Sequence, residues 1–294
     1  MLLRQQLRLH LLRRSQHRQV TKNSQSIGIF DSGYGGLTVF KEIKKLLPNY
    51  DFIYLGDNAR APYGNRSFET VYEYTLQCVE WFFAQGCPLV ILACNTASAK
   101  ALRSIQQRDL VARYPDKRVL GVIRPTAEII GDLTNTKTIG ILGTKGTTTS
   151  MSYPIEIGHF FPDINVVQQA CPMWVPFIEN GKYHGHEMDE FIRDDLDSLF
   201  AQSTDIDTIL LACTHYPLIQ DKIRQYLPQN IRLITQGEIV AASLVEYLSR
   251  QHWLDEKITK SGNTRFYTTG VADDFETHGE VFFGSKVKAE HVNL

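Results

Sequence analysis

Short apolar runs rich in β-branched residues recur along the chain, and each stops at a glycine, a cysteine or a polar residue. Runs of this kind are typical of strands that are buried on both faces of a parallel sheet. The predicted strands begin at Ile27, Val90, Thr138 and Thr208, and also cover Phe52–Leu55, Arg118–Val122, Asn165–Gln168 and Arg232–Ile234.

Segments with helical periodicity fill most of the intervals between these strands. They are Leu37–Leu47, Phe68–Ala84, Ala97–Tyr114, Met188–Phe200, Pro217–Tyr226 and Ile239–Gln251. Strands that alternate with helices predict an α/β fold with mostly parallel sheets, covered by helices on both faces. Ligands of such sheets bind beyond the carboxyl ends of the strands.

The pattern occurs twice. A Gly-rich turn, Gly33 to Gly36, follows the first strand, and a similar Gly/Thr turn follows the strand at Thr138. Each half then delivers a cysteine at the end of a later strand, Cys94 in the first half and Cys213 in the second. This internal duplication predicts two similar α/β domains, related by a pseudo-two-fold axis, with the active site in the cleft between them.

We assign residues 27–119 together with 236–294 to the first domain and residues 120–235 to the second. Residues 1–26 carry six basic and no acidic side chains. We expect a disordered basic tail there, with an organelle transit peptide or a start codon placed too far upstream as alternatives.

Composition narrows the classes of function. The chain has 294 residues, of which 43% are hydrophobic, and a net charge of −1. Because the tail is basic, the rest of the chain is acidic, which gives no electrostatic footprint for nucleic acid or an anionic membrane. No apolar stretch is long enough to predict a membrane span. Five widely spaced cysteines do not form a disulfide framework and favour a reducing cytoplasm.

Cys94 and Cys213 stand in matching sequences, Ala-Cys-Asn-Thr and Ala-Cys-Thr-His, each after a buried strand. Two such thiols suggest a symmetric pair that acts on one substrate from opposite sides. A zinc site formed by both cysteines and His215 is an alternative, but the remaining histidines show no ligand spacing. A nucleotide site at the first Gly-rich turn is disfavoured, because the turn lacks GxGxxG spacing and a P-loop lysine. We therefore predict no metal.

Five motifs occur in order between Ile27 and Phe283. They are Phe30-Asp31-Ser32-Gly33-x-Gly35-Gly36, Asp57-Asn58-x3-Pro62-Tyr63-Gly64, Ala93-Cys94-Asn95-Thr96-Ala97, Leu142-Gly143-Thr144-x-Gly146-Thr147 and Ala212-Cys213-Thr214-His215-Tyr216-Pro217. With them the chain resembles the glutamate racemases of the cofactor-independent aspartate/glutamate racemase family. It departs from that pattern at Ala93 and Ala212, where glycine is frequent, and at Arg124, where Glu, Val or Ala is more usual.

The resemblance implies interconversion of L- and D-glutamate without pyridoxal phosphate or another cofactor, for peptidoglycan synthesis. It also implies a homodimer. A racemase of aspartate or another amino acid is the alternative within the family. A binding protein without turnover, or a hydrolase or lyase with one essential cysteine, are alternatives from other classes.

Inversion at a carbon that bears a proton requires a proton carrier on each face, and the two thiols fit these roles. Asp31 can assist Cys94 or orient the substrate ammonium group, and His215 can assist Cys213. The family also implies Glu179 on the second side. We expect helix N-termini to favour the thiolates. Residues that match the family's substrate contacts are Asp31, Ser32, Tyr63, Gly64, Asn95, Thr96, Thr144, Thr214 and His215. We assign Cys78 and Cys87 to the core, and leave Cys171 outside the site.

Overall fold

The computed structural model describes residues 25–294 and contains two parallel β-sheets. The strands are β1 Ile27–Asp31, β2 Phe52–Gly56, β3 Leu89–Leu92, β4 Arg118–Gly121, β5 Thr138–Gly143, β6 Asn165–Ala170, β7 Thr208–Ala212, β8 Arg232–Ile234, β9 Thr264–Thr268 and β10 Ala289–His291. The first sheet has the order β10-β9-β2-β1-β3-β4 and the second has the order β6-β5-β7-β8, with every pairing parallel.

The order of the second sheet repeats that of four strands in the first. In β2-β1-β3-β4 and in β6-β5-β7-β8, the opening strand lies between the strands that follow it. The α/β class with parallel sheets is thus confirmed, and the repeated order agrees with the duplication inferred from the sequence. The first sheet is larger because β9 and β10 extend one edge.

Helices cover both sheets. They are α1 Leu37–Leu46, α2 Phe68–Ala84, α3 Asn95–Lys100, α4 Leu102–Ser104, α5 Val111–Arg113, α6 Ile123–Ala127, α7 Lys145–Thr149, α8 Ser152–Phe160, α9 Trp174–Glu179, α10 His186–Phe200, α11 Gln220–Gln225, α12 Gly237–Arg250, α13 His252–Asp255 and α14 Ala272–Phe283. The segments with 3₁₀ geometry are Asn58–Arg60, Ile130–Leu133 and Tyr216–Ile219. The segment Ile105–Leu110 is π helix.

Two predicted helices differ from the observed ones. The segment expected as one helix over Ala97–Tyr114 is broken, because its middle is π helix over Ile105–Leu110. The helix expected from Pro217 starts as a 3₁₀ turn. Strands β9 and β10, which extend one side of the first sheet, were not predicted, because their partly exposed, polar sequences lack the apolar signature of the central strands.

The chain passes between the sheets after β4 and returns after β8. The predicted domain boundary at residue 120 falls inside β4, which pairs with β3 of the first sheet, so the passage into the second sheet follows Gly121. The return is helix α12, which packs against α1. Both connections lie beside the carboxyl ends of the strands, where the predicted site residues are concentrated.

The predicted tail lies almost wholly outside the described residues. Its last two residues, Gln25 and Ser26, are described, and they pack on the body of the protein. Gln25 exchanges hydrogen bonds with Thr259, and Ser26 is buried. No helix within residues 25–294 is long and apolar enough to cross a membrane.

Candidate active site

The two sheets present the carboxyl ends of corresponding strands to one cleft. In the first sheet Phe30 pairs with Leu92, so the residues after β1 and β3 leave the sheet side by side. In the second, Gly143 pairs with Ala212, so the residues after β5 and β7 do the same. The lining residues are Ser32, Ala61, Pro62, Tyr63, Gly64, Asn65, Cys94, Asn95, Thr96, Thr144, Lys145, Cys171, Pro172, Val175, Pro176, Glu179, Cys213, Thr214 and His215.

Cys94 precedes helix α3 and is its N-terminal cap. Its Sγ accepts a hydrogen bond from the backbone N–H of Ala97 at 3.4 Å and lies 3.5 Å from the hydroxyl oxygen of Ser32. The side chain is nearly buried, with 6% exposure. The thiol therefore has neutral polar partners, and the cleft is the side from which a substrate can reach it.

Cys213 has a charged relay behind it. Its Sγ lies 3.8 Å from Nδ1 of His215, and Nε2 of the same ring lies 2.9 Å from Oε1 of Glu179. Both Cys213 and His215 are buried. Glu179 is the last residue of α9, so a helix that the sequence pattern did not predict supplies the carboxylate.

The two thiols therefore have different electrostatic surroundings. Burial raises the pKa of Cys94 to about 12, and the nearby Asp31 carboxylate adds to that rise, against the hydrogen bonds from Ala97 and Ser32. The helix N-terminus lowers the pKa of Cys94 through the N–H of Ala97, as expected, but desolvation outweighs this single donor. Burial alone would lower the pKa of His215, but hydrogen bonds with Cys213 and Glu179 raise it to about 10.

Asp31 lies behind the wall of the cleft. Its Oδ1 accepts from the backbone N–H of Gly33 at 2.9 Å, and its Oδ2 accepts from the hydroxyl of Thr214 at 3.3 Å. Burial raises the pKa of this carboxyl, and the nearby His215 opposes that rise. Asp31 therefore joins the loop after β1 to the loop after β7, and its contact with a substrate ammonium group stays a prediction.

Three threonine hydroxyls form a cluster at the mouth of the cleft. Thr96 Oγ1 lies 2.9 Å from Thr144 Oγ1 and 3.5 Å from Thr147 Oγ1, and the last two are 3.1 Å apart. Thr96 comes from the first sheet and the other two from the second. Hydroxyls can turn to donate to a carboxylate, so the structure brings two predicted substrate contacts together, Thr96 and Thr144, and Thr147 is buried behind them.

The loop that carries Tyr63 and Gly64 is fixed at both ends. The hydroxyl of Tyr63 donates to the fully buried carboxylate of Asp57, which also accepts from Arg60 Nε at 2.7 Å. The carbonyl of Gly64 accepts from the backbone N–H of Gly146, across the cleft, at 2.7 Å. This loop therefore links the two sheets directly.

The side chain of Asn95 is already engaged. Its Oδ1 accepts from the hydroxyl of Tyr153 at 2.6 Å, and its Nδ2 donates to Oε1 of Gln236 at 2.7 Å. The second hydrogen of Nδ2 and the backbone N–H group are the donors of this residue that could still bind a substrate. The first backbone N–H groups of a helix lack intrahelical acceptors and are suited to anions.

Sequence reasoning missed one wall of the cleft. Cys171, Pro172, Val175 and Pro176 line it, although Cys171 was left outside the site. Cys171 and Pro172 follow β6, whereas Val175 and Pro176 lie in α9, a helix that the pattern did not predict. Arg124 is exposed, pairs with Glu128 and does not line the cleft. Within residues 25–294, no group of three or more His, Cys, Asp or Glu side chains is arranged to hold a metal ion.

Comparison with known proteins agrees with this geometry. Residues 27–244 match the family model described as Asp/Glu/Hydantoin racemase. The chain belongs to this family.

Among its relatives is a glutamate racemase of Persephonella marina, 37% identical over 270 residues, which cover 92% of this chain and 97% of that protein. A solved glutamate racemase isoform from Bacillus anthracis has a TM-score of 0.83 and 32% identity, over 93% of this chain and 98% of that one. A glutamate racemase from Francisella tularensis, solved in complex with D-glutamate, has a TM-score of 0.81 and 32% identity, over 92% and 98% of the two chains.

The close approach of the loop after β1 to the loop after β7 can be tested by a substitution at Gly35. A Cβ at this position would lie 2.5 Å from Nδ1 of His215 and closer still to Oγ1 of Thr214. Gly35→Ala should therefore push the loop after β7 away and lower kcat/KM by about 10- to 100-fold, because catalysis depends on placement within about 1 Å.

The matched control is Gly158→Ala, where a Cβ meets nothing within 4 Å. Both variants should keep the circular dichroism of the parent, and only Gly35→Ala should lose activity. Equal activity in the two variants would show that the loop tolerates displacement.

Glu179 tests the relay behind Cys213. Its carboxylate favours the protonated form of His215, so Glu179→Gln should lower the pKa of His215. The alkaline limb of the kcat/KM profile should then move to lower pH by about one unit, since that profile reports groups of the free enzyme. Glu128→Gln, on the exposed Arg124 pair, is the control. An alkaline limb at the same pH in Glu179→Gln and in the parent would show that Glu179 does not influence the protonation of His215.

Proposed function

We propose that this chain is a glutamate racemase that inverts the α-carbon by proton transfer between two thiols, without a cofactor. The observation that carries the proposal is that Cys94 and Cys213 follow corresponding strands of two sheets with the same strand order, and both line one cleft. The glutamate racemases to which the chain is similar support glutamate as the substrate.

The reaction needs a proton carrier on each face of the α-carbon. One cysteine, as thiolate, removes the α-proton and becomes a thiol, while the other, as thiol, donates its proton to the opposite face and becomes a thiolate. The substrate and the protein together gain and lose no proton, and the two cysteines exchange states. A single carrier that stays in place can return a proton only to the face from which it came.

The surroundings of the two thiols differ. Burial and the Asp31 carboxylate raise the pKa of Cys94 to about 12, which favours its thiol form for the direction in which it donates, and it must lose that proton to act in the other direction. Cys213 lies beside the imidazole of His215, which can take or return a proton within the buried relay that ends at Glu179. The resting site is thus asymmetric, although the fold that builds it is repeated.

The substrate would be held mainly by neutral donors. Lys145 is the one Lys or Arg among the described residues that line the cleft. Ser32, Thr96, Thr144 and Thr214 line the same cleft as the two thiols, and the N-terminal amides of α3 add backbone donors. Many hydrogen bonds of this kind can bind a dicarboxylate. Because these donors are neutral, the electrostatic potential at the thiols is determined largely by His215, Glu179 and Asp31.

This function would place the chain in the cytoplasm, where it supplies D-glutamate for peptidoglycan. We also propose a homodimer. Exposed apolar side chains on and beside α8, namely Ile129, Met151, Ile155 and Phe160, offer a surface for a second copy. Neither a nucleic acid nor a membrane is part of the proposal.

The direct test is incubation of the purified chain with L-glutamate in deuterated water, with reductant and no added cofactor. We expect D-glutamate to form and solvent deuterium to enter at the α-carbon. Aspartate is tested alongside. Turnover of aspartate but not of glutamate would identify aspartate as the substrate. Absence of α-hydrogen exchange with both amino acids would contradict the racemase proposal.

Removal of each thiol tests the division of labour. Cys94→Ala and Cys213→Ala should each lower racemisation by at least about 100-fold, because a proton carrier is lost from one face. Each variant should still exchange the α-hydrogen of one enantiomer without inverting it, and the two variants should differ in which enantiomer that is. Cys87→Ala, a buried thiol outside the cleft, should remain active. A cysteine variant that keeps substantial racemisation would contradict the two-thiol mechanism.

A further inference from the structure

A closed ring of buried side chains lies next to Cys94. Tyr153 donates its hydroxyl hydrogen to Oδ1 of Asn95 at 2.6 Å, Asn95 donates from Nδ2 to Oε1 of Gln236 at 2.7 Å, and Gln236 donates from Nε2 to the hydroxyl oxygen of Tyr153 at 2.6 Å. The exposures of the three side chains are between 0% and 4%. Burial raises the pKa of Tyr153, so its phenol keeps the proton that it donates.

The ring joins three parts of the chain that otherwise belong to different halves of the molecule. Asn95 begins α3 after a strand of the first sheet, and Tyr153 lies in α8, beside the second sheet. Gln236 stands at the return connection, between β8 and α12. Gln236 also lies 3.1 Å from the carbonyl of Val122, beside the outward connection. The ring is therefore located beside both backbone connections between the two halves.

The orientation of each amide in the ring is determined by its partners. Asn95 must direct its oxygen to the phenol and its nitrogen to Gln236, because Gln236 uses its own nitrogen toward Val122 and Thr126. Every polar atom of the three side chains has a partner, and a buried network in this state holds one geometry. Loss of one member would leave buried donors or acceptors unpaired.

This geometry bears directly on Cys94. Cys94 precedes Asn95 in the chain, and its Sγ accepts from the N–H of Ala97 in the first turn of α3. Asn95 joins the first turn of α3 to Tyr153 beside the second sheet. This contact fixes the turn relative to the strand that precedes Cys213. Cys213 is held instead by its own contacts with His215.

We propose that Tyr153 and Gln236 are positioning residues for proton transfer at Cys94, acting through Asn95 and not through contact with the substrate. The inference rests on the proposed racemase function. It assigns the two residues to one of the two half-reactions, because the ring holds Asn95, the first residue of α3 after Cys94, whereas no ring member hydrogen-bonds to Cys213 or His215.

The test is the primary isotope effect of α-deuterated glutamate on kcat, measured in both directions with Tyr153→Phe. The enantiomer that Cys94 deprotonates is identified by the exchange behaviour of the single-cysteine variants. Removal of its α-proton by a misplaced thiol becomes slower, so the isotope effect should rise in that direction. In the reverse direction Cys213 removes the labelled hydrogen, that step limits the rate less, and the isotope effect should fall. We expect kcat to fall about 10-fold and KM to stay within about twofold.

Two further variants make the result decisive. Gln236→Asn shortens a second member of the ring and should shift the isotope effects in the same sense, so the test does not depend on the folding of one variant. Tyr72→Phe removes a tyrosine hydroxyl that donates to Asp109, away from the cleft, and should change neither direction.

Isotope effects that change equally in both directions, that shift in the direction of Cys213, or that do not change would overturn the inference. A parent chain that fails to racemise glutamate would instead overturn the proposed function, before any variant is compared.

Discussion

The distance between two thiols that lie in different halves of the molecule is the constraint on which the site depends. Apart from the two backbone connections, no strand pairing or disulfide joins the two halves within residues 25–294, so contacts across the cleft must fix this distance. The hydroxyl of Thr38 donates to the carbonyl of Thr214 at 2.8 Å on one side, and the carbonyl of Gly64 accepts from Gly146 at 2.7 Å on the other. The hydrogen-bonded ring that contains Asn95 lies beside the two backbone connections. These are polar contacts of a few atoms each, and such contacts can open and re-form during a catalytic cycle.

Burial gives the site its electrostatic strength and also its asymmetry. In a desolvated cleft, a carboxylate or an imidazolium affects a neighbouring thiol far more than it would in water. His215 and Glu179 lie behind Cys213, whereas Ser32 and a backbone N–H face Cys94. A duplicated fold thus presents two equivalent strand ends, and side chains outside the repeat make the thiols chemically different.

Much of this architecture can be predicted from the sequence, because the central strands are buried on both faces. Helix α2 has the predicted bounds, and β8 does as well. The repeated Ala-Cys sequences placed both thiols at strand ends. What periodicity could not predict depends on tertiary contacts: the short helix α9 that delivers Glu179, and the strands β9 and β10, of which β9 pairs with β2 and β10 pairs with β9.

Side-chain roles were harder to predict than positions. Asn95 and Asp31 stand where the motifs place them, yet their polar atoms are engaged by Tyr153, Gln236 and Thr214. Those partners are far away in sequence, and no local pattern announces a hydrogen bond over such a separation. The environment of Cys94 was misjudged for a related reason, because the degree of burial of a strand end depends on the opposite half of the molecule.

The central claim is that both thiols address one α-carbon from opposite faces. A crystal structure of this chain with glutamate bound tests it most directly. The account predicts Sγ of Cys94 and Sγ of Cys213 on opposite sides of the α-carbon, each at about 3–3.5 Å from it. A substrate with both sulfurs on one side, or with one of them beyond reach of the α-carbon in the closed cleft, would contradict it.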